Sequence, residues 1–87
     1  MEIKASSFFA TLGHQRRLDV FRLLMRRYPD TVRASEIASA LDINPSTLSM
    51  YLKTLVTAGM ISQFRQGNWL KYQVLMDMMN SSVAFLV

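Results

Sequence analysis

Residues 44 to 59, NPSTLSMYLKTLVTAG, carry a start signal, a stop signal and one apolar edge between them, which commits the segment to a single helix. Asn44 suits the N-cap, because its side-chain oxygen accepts from a backbone N–H that the first turn leaves free. Pro45 suits the first helical position, and Gly59 suits the left-handed stop beyond the last turn. Leu48, Leu52 and Leu55 fall on one face at three- and four-residue spacing, with Tyr51 beside them. Ser46, Thr47, Ser49, Met50 and Lys53 are left facing out. A helix held by its own surface would carry Glu/Lys pairs there. Short hydroxyls beside a lysine suit a helix that enters a DNA major groove and touches base edges and phosphates.

The flanking segments give this helix a setting. Ala34 to Leu41 reads as a second amphipathic helix, with Ile37, Ala38 and Leu41 inward and Glu36 near its positive end. Asp42-Ile43 is then a tight connection, with Asp42 at a left-handed backbone position. Two short helices joined in this way form a helix-turn-helix pattern. Past Gly59 the period changes to two. Ile61 to Gln66 and Leu70 to Leu75 flank a Gly67-Asn68 turn, and Tyr72 and Val74 alternate with Lys71 and Gln73. A β-hairpin directly after a recognition-type helix is a wing.

Upstream, residues 15 to 28 are predicted helical, with Leu18, Phe21, Leu24, Met25 and Tyr28 inward and Asp19, Arg22 and Arg26 outward. Pro29-Asp30 ends that helix, and Thr31 to Arg33 is a short strand candidate. Residues 5 to 12 suit one or two helical turns, with Ala5, Phe8, Phe9 and Leu12 along one stripe. Met76 to Val87 returns to a helix-compatible pattern through Met76, Met79, Val83 and Leu86. The expected fold is mostly α with a small β-hairpin (α+β), a winged helix-turn-helix with a two- or three-stranded wing.

The chain's 87 residues suffice for one domain, spanning 1–87. Apolar residues make up 51% of it, so either the core is dense or apolar surface is buried in a partner, most simply a second copy. A net charge of +4 favours nucleic acid or another anionic surface. The absence of Cys excludes disulfides, thiolate metal sites and a Cys nucleophile, and one His leaves too few ligands for zinc or copper. Asp42 and Asp77 stand without a paired acid, a nucleophile or a phosphate loop, so neither an enzyme nor a cofactor is expected. The start, MEIKASSFFATLGH, lacks the form of a secretory leader, and no apolar run reaches membrane-spanning length; a cytoplasmic location is expected.

Four segments in order resemble the ArsR/SmtB family of winged-helix repressors: FFATLGHQRRLDVFRLL at 8–24, SEIASAL at 35–41, STLSMYLKTL at 46–55 leading into Ala58-Gly59-Met60-Ile61, and RQGNWLKYQVL at 65–75. The resemblance covers nearly the whole chain. It implies a homodimer on an inverted-repeat DNA operator, joined through terminal helices near Phe8, Phe9, Met76, Met79, Val83 and Leu86. It also implies that Ser46, Thr47, Ser49 and Met50 meet bases and nearby phosphates, that Lys53 meets phosphate, and that Arg65 reaches the adjacent minor groove or backbone. Lys71 is added to these as a phosphate contact. Four departures from the family's pattern stand out. The Cys-x-Cys pair of many members is missing, the last helix offers only Asp77 as a ligand, and Met50 stands where His is frequent. Met50 cannot donate a hydrogen bond and favours a thymine methyl. His14-Gln15 replaces the common acidic-Pro pair. The DNA-binding apparatus carries over, and the metal sensing does not.

Several residues admit two readings. Arg16, Arg22, Arg26 and Arg27 form either a solvated helix face or a DNA-facing patch, while Arg17, at the family's motif position, buttresses the fold. His14 is a surface or capping residue before it is a sensor, and Met76, Met78 and Met79 are packing residues before they are redox sensors. Trp69 either stacks at the wing or anchors the hairpin. A different class of function also fits the pattern: a winged-helix module that binds protein through its wing or its apolar end SSVAFLV, or the DNA-binding part of a longer sensor or enzyme fusion.

Overall fold

Helix α1 (Gln15–Arg27), strand β1 (Val32–Arg33), helices α2 (Ala34–Leu41) and α3 (Pro45–Thr57), and strands β2 (Ile61–Gln66) and β3 (Trp69–Val74) follow one another in a computed structural model that describes residues 15–75. The expected turns at 5–12, the apolar segment at 76–87, His14 and Asp77 lie outside the described residues. The three helices and one antiparallel sheet form the winged helix-turn-helix expected from the sequence. The sheet has three strands in the order β1-β3-β2, so the short strand expected at Thr31 to Arg33 forms at Val32–Arg33 and joins the wing.

Both ends of α3 are built as its sequence dictates. The Asn44 side chain accepts from the backbone N–H of Ser46 at 2.9 Å, and Pro45 opens the helix. At the far end Gly59 takes φ +76, and the N–H groups of Gly59 and Met60 donate to the carbonyls of Val56 and Leu55, each at 3.0 Å. That pair of bonds is a Schellman stop, with Met60 and Leu55 both buried as its apolar contact. Helix α2 ends in a similar way on a non-glycine residue. Asp42 sits at φ 53, ψ 51, and the N–H of Ile43 returns to the carbonyl of Ala38 at 3.0 Å. Asp tolerates this backbone region better than most residues, and the chain turns there without lengthening the link between the two helices.

One core joins all six elements. Leu48, Leu52 and Leu55 of α3 meet Phe21 and Leu24 of α1, Ile37 of α2, and Ile61 and Val74 of the wing. Val20, left out of the expected apolar stripe of α1, is fully buried, while Leu18, Met25 and Tyr28 are half-buried at its edge. Among the described residues no polar or charged residue is buried. The Arg16 guanidinium lies 3.4 Å from Asp19 and donates to the carbonyl of Leu41, where a cation satisfies the end of α2. Arg16 therefore ties α1 to α2 rather than lying in a solvated face. Arg17 is half-buried, whereas Arg22, Arg26 and Arg27 are exposed.

The hairpin turns through Gly67 and Asn68 alone, with Gln66 paired to Trp69 across them. Gly67 supplies the positive φ of 61 that such a two-residue loop requires at its first position. β3 begins at Trp69, one residue before the expected start, and Tyr72 and Val74 point into the core as their alternation indicates.

Candidate nucleic-acid interface

With about 100° between successive helical residues, Ser46, Ser49, Met50, Lys53 and Thr57 of α3 form one narrow stripe. All five are exposed, and Leu48, Leu52 and Leu55 hold the opposite side in the core. Met50 is 66% exposed, far more than an apolar side chain gains from the fold itself. Thr47 stands apart from this stripe. It lies about 100° round the helix from Ser46 and is half-buried, so it borders the exposed edge rather than projecting from its centre.

Ser46 has a second task. Its Oγ donates to the Asn44 side-chain oxygen at 2.6 Å, so its proton serves the cap and only its lone pairs face outward. Ser49 and Lys53 line the groove between α3 and the wing, together with Leu52, Val56 and Thr57 of the helix and Gln63, Leu70 and Tyr72 of the wing. The Gln63 amide donates to the Tyr72 hydroxyl at 2.9 Å, which closes the wing side of that groove. Thr57 and Gln63 were not among the residues singled out from sequence. Thr57 continues the four-residue spacing from Lys53, so its signal was present; Gln63 depends on strand pairing that only the fold supplies.

The wing carries its two expected cations on opposite faces. Arg65 pairs with Leu70, which turns toward the α3 groove, and is exposed. Lys71 pairs with Phe64 on one side and Arg33 on the other, on the face turned away from α3. Phe64 and Trp69 are 45% and 52% exposed, and Trp69 has the Arg33 guanidinium over its ring at 4.6 Å from the centroid. Trp69 therefore anchors the hairpin and still presents indole surface at the wing. Glu36, in the first turn of α2, accepts from the Arg33 backbone N–H at 3.0 Å. That bond, with the Arg33 and Arg27 guanidiniums nearby, holds its carboxyl below the ordinary range.

Among the described residues no three His, Asp or Glu side chains gather into a possible metal site, and no helix is long and apolar enough to cross a membrane. The arrangement offers one exposed helix edge with hydroxyls, a thioether and a cation, and beside it a hairpin with a cation on each face. Such a surface can follow a duplex through two adjacent grooves.

Comparison with known proteins agrees with this geometry. No match is found among curated proteins. Among solved structures the chain is similar to an ArsR-like transcriptional regulator from Rhodococcus sp. RHA1, at 22% identity and TM-score 0.76 over 98% of this chain and 77% of that one. It is similar to HlyU from Vibrio cholerae at 20% identity and TM-score 0.83, over 98% and 89% of the two chains. A homodimeric winged helix-turn-helix DNA-binding domain from Mycobacterium bovis, of a possible ArsR-family regulator, matches at 23% identity and TM-score 0.79, over 95% and 74%. At these identities the three show the shared fold. The model of the arsR family of bacterial regulatory proteins matches residues 14–63, more than half of the sequence. The chain belongs to that family and is a DNA-binding transcription regulator built on a winged helix.

Proposed function

We propose that the protein acts as a homodimeric repressor on an inverted-repeat operator, with α3 of each protomer in successive major grooves. A symmetric site of this kind spaces the two helices about 34 Å apart, one turn of the duplex. The observation that carries the reading is the exposed stripe Ser46, Ser49, Met50 and Lys53 set against the buried Leu48, Leu52 and Leu55.

In this reading Ser49 and Met50 meet base edges, Met50 against a thymine methyl, while at the groove margin Ser46 accepts and Thr47 accepts or donates. Lys53 neutralises a phosphate on the strand between the two grooves. A hairpin lying in a minor groove turns one face to each backbone wall, so Arg65 and Lys71 serve opposite strands. Phosphate neutralisation of this kind supplies much of the affinity and makes it fall steeply with salt. Dimerisation is supported by the apolar excess of the sequence and by the homodimeric Mycobacterium bovis domain of similar fold, with the seam proposed near Phe8, Phe9, Met76, Met79, Val83 and Leu86. The absence of Cys directs the search for an inducer toward signals other than thiolate-bound metal.

Fluorescence anisotropy against a degenerate duplex pool, over a series of salt concentrations, tests the reading. Binding that weakens log-linearly with salt and is retained by a minority of sequences supports it. Equal, weak binding to every duplex, together with tight binding to a protein partner, would favour the interaction-module alternative.

A further inference from the structure

The wing extends beyond its third strand. β1 supplies only Val32 and Arg33, which pair with Tyr72 and Lys71. From Leu70 round to Arg65 the hairpin has two strands only. A two-stranded ribbon is marginal in water and twists readily, so something outside its own ladder must set its angle.

Arg33 reaches across that gap. It faces Lys71 in the ladder, and Trp69 lies two residues earlier on the same face, which makes Trp69 its diagonal neighbour. The guanidinium carbon stands 4.6 Å from the centre of the indole, within cation–π range. The same guanidinium is held a second time. Its Nε lies 3.6 Å from a Glu36 carboxylate oxygen, and the same oxygen takes the Arg33 backbone N–H. Glu36, Arg33 and Trp69 thus link the first turn of α2 to the residue that opens β3 beside the hairpin loop. Trp69 is 52% exposed, so core packing alone does not fix it.

We propose that the Arg33–Trp69 stack is a brace that sets the angle of the wing against the helix-turn-helix and so places Arg65 for its contact with DNA. The proposal rests on the DNA-binding reading above. Arg33 and Trp69 are positioning residues in it, and their effect on DNA passes through Arg65.

The sequence has a single tryptophan, so fluorescence excited selectively at the red edge, beyond tyrosine absorption, reports on the brace. In the free protein Arg33→Gln is expected to shift the Trp69 emission maximum and lifetime. On a selected duplex Trp69→Leu is expected to weaken binding about two- to fivefold, while the melting temperature falls by only the few degrees that a partly exposed cation–π contact contributes. Trp69→Phe keeps an aromatic face and retains most of the affinity. The decisive variant is Trp69→Leu combined with Arg65→Ala, which is expected to bind no worse than Arg65→Ala alone. Fully additive losses would mean that Trp69 acts independently of Arg65, and would overturn the proposal. So would native affinity in Trp69→Leu. Unchanged emission in Arg33→Gln removes the brace whatever DNA does, whereas a native protein that binds no duplex removes the functional reading and the positioning role with it.

Discussion

Arg65 and Lys71 leave the wing from opposite faces, Arg65 beside Leu70 on the side of the α3 groove and Lys71 beside Phe64 on the side away from it. Each is therefore expected to neutralise its own phosphate. Arg65→Ala and Lys71→Ala should each lower the slope of log affinity against log salt by about one. Their losses should add in the double variant, because the two sites share no partner. Anisotropy titrations between about 50 and 200 mM salt read both quantities. A double variant no weaker than either single one would place both cations on one contact.

Lys53 and its neighbours on the stripe should behave differently from one another. Lys53→Ala is expected to weaken binding to all duplexes alike, since a phosphate contact carries no sequence. Ser49→Ala and Met50→Ala are expected to change which duplex is preferred, with discrimination at one base pair reduced by about 1–3 kcal/mol. Repeating the selection from random oligonucleotides with each variant checks this. Identical preferences for all three proteins would contradict it.

Much of the fold lay open in the sequence because its decisive signals are local. Asn44, Pro45 and Gly59 bracket α3 within a few residues of the bonds they make, and Gly67-Asn68 does the same for the hairpin. Asp42 announced a left-handed turn by residue type alone. What stayed hidden depends on pairing at a distance. Across a two-residue loop, partners have opposite parity, so the odd-numbered Arg65 and Lys71 face opposite ways, a fact that spacing along either strand does not reveal. Gln63 entered the groove only once Tyr72 was placed opposite it. The split duty of Ser46 between cap and surface likewise follows from an interatomic distance, not from residue type.

The two left-handed helix ends, at Asp42 and Gly59, carry separate stability costs. Gly59→Ala meets no neighbouring atom within 4 Å, so its penalty is purely the backbone strain at φ +76. A loss of about 1–2 kcal/mol is expected, lowering the melting temperature by on the order of 5–10 °C. Asp42→Val puts a β-branched residue at φ 53 and should cost at least as much, whereas Asp42→Gly should be neutral or stabilising. Calorimetry of the three variants checks the order.

Glu36 gives the fold a defined acid response. Its carboxyl titrates below the ordinary value of 4.5, chiefly because it accepts the Arg33 backbone N–H and secondarily because Arg33 and Arg27 lie near it. A group with a lowered folded value stabilises above its unfolded value, and that contribution fades as pH falls through the folded one. Glu36→Gln keeps an acceptor and removes the charge, so it should melt slightly below the native protein at pH 7. The gap should begin to close below pH 4.5 and be gone once pH has fallen past the lower folded value, where the native carboxyl takes up its proton. A gap that widens in acid would reverse the assignment.

The central claim is that the exposed edge of α3 lies in the major groove, and the methionines of the protein test it directly. Met50 is 66% exposed at the middle of that edge, and Met60, one residue past the helix stop, is 1% exposed in the core. With methyl-labelled methionine and a selected duplex, the Met50 methyl signal should shift and show cross-peaks to a thymine methyl, while the Met60 signal stays in place. A Met50 signal that does not move when the complex forms would contradict the account.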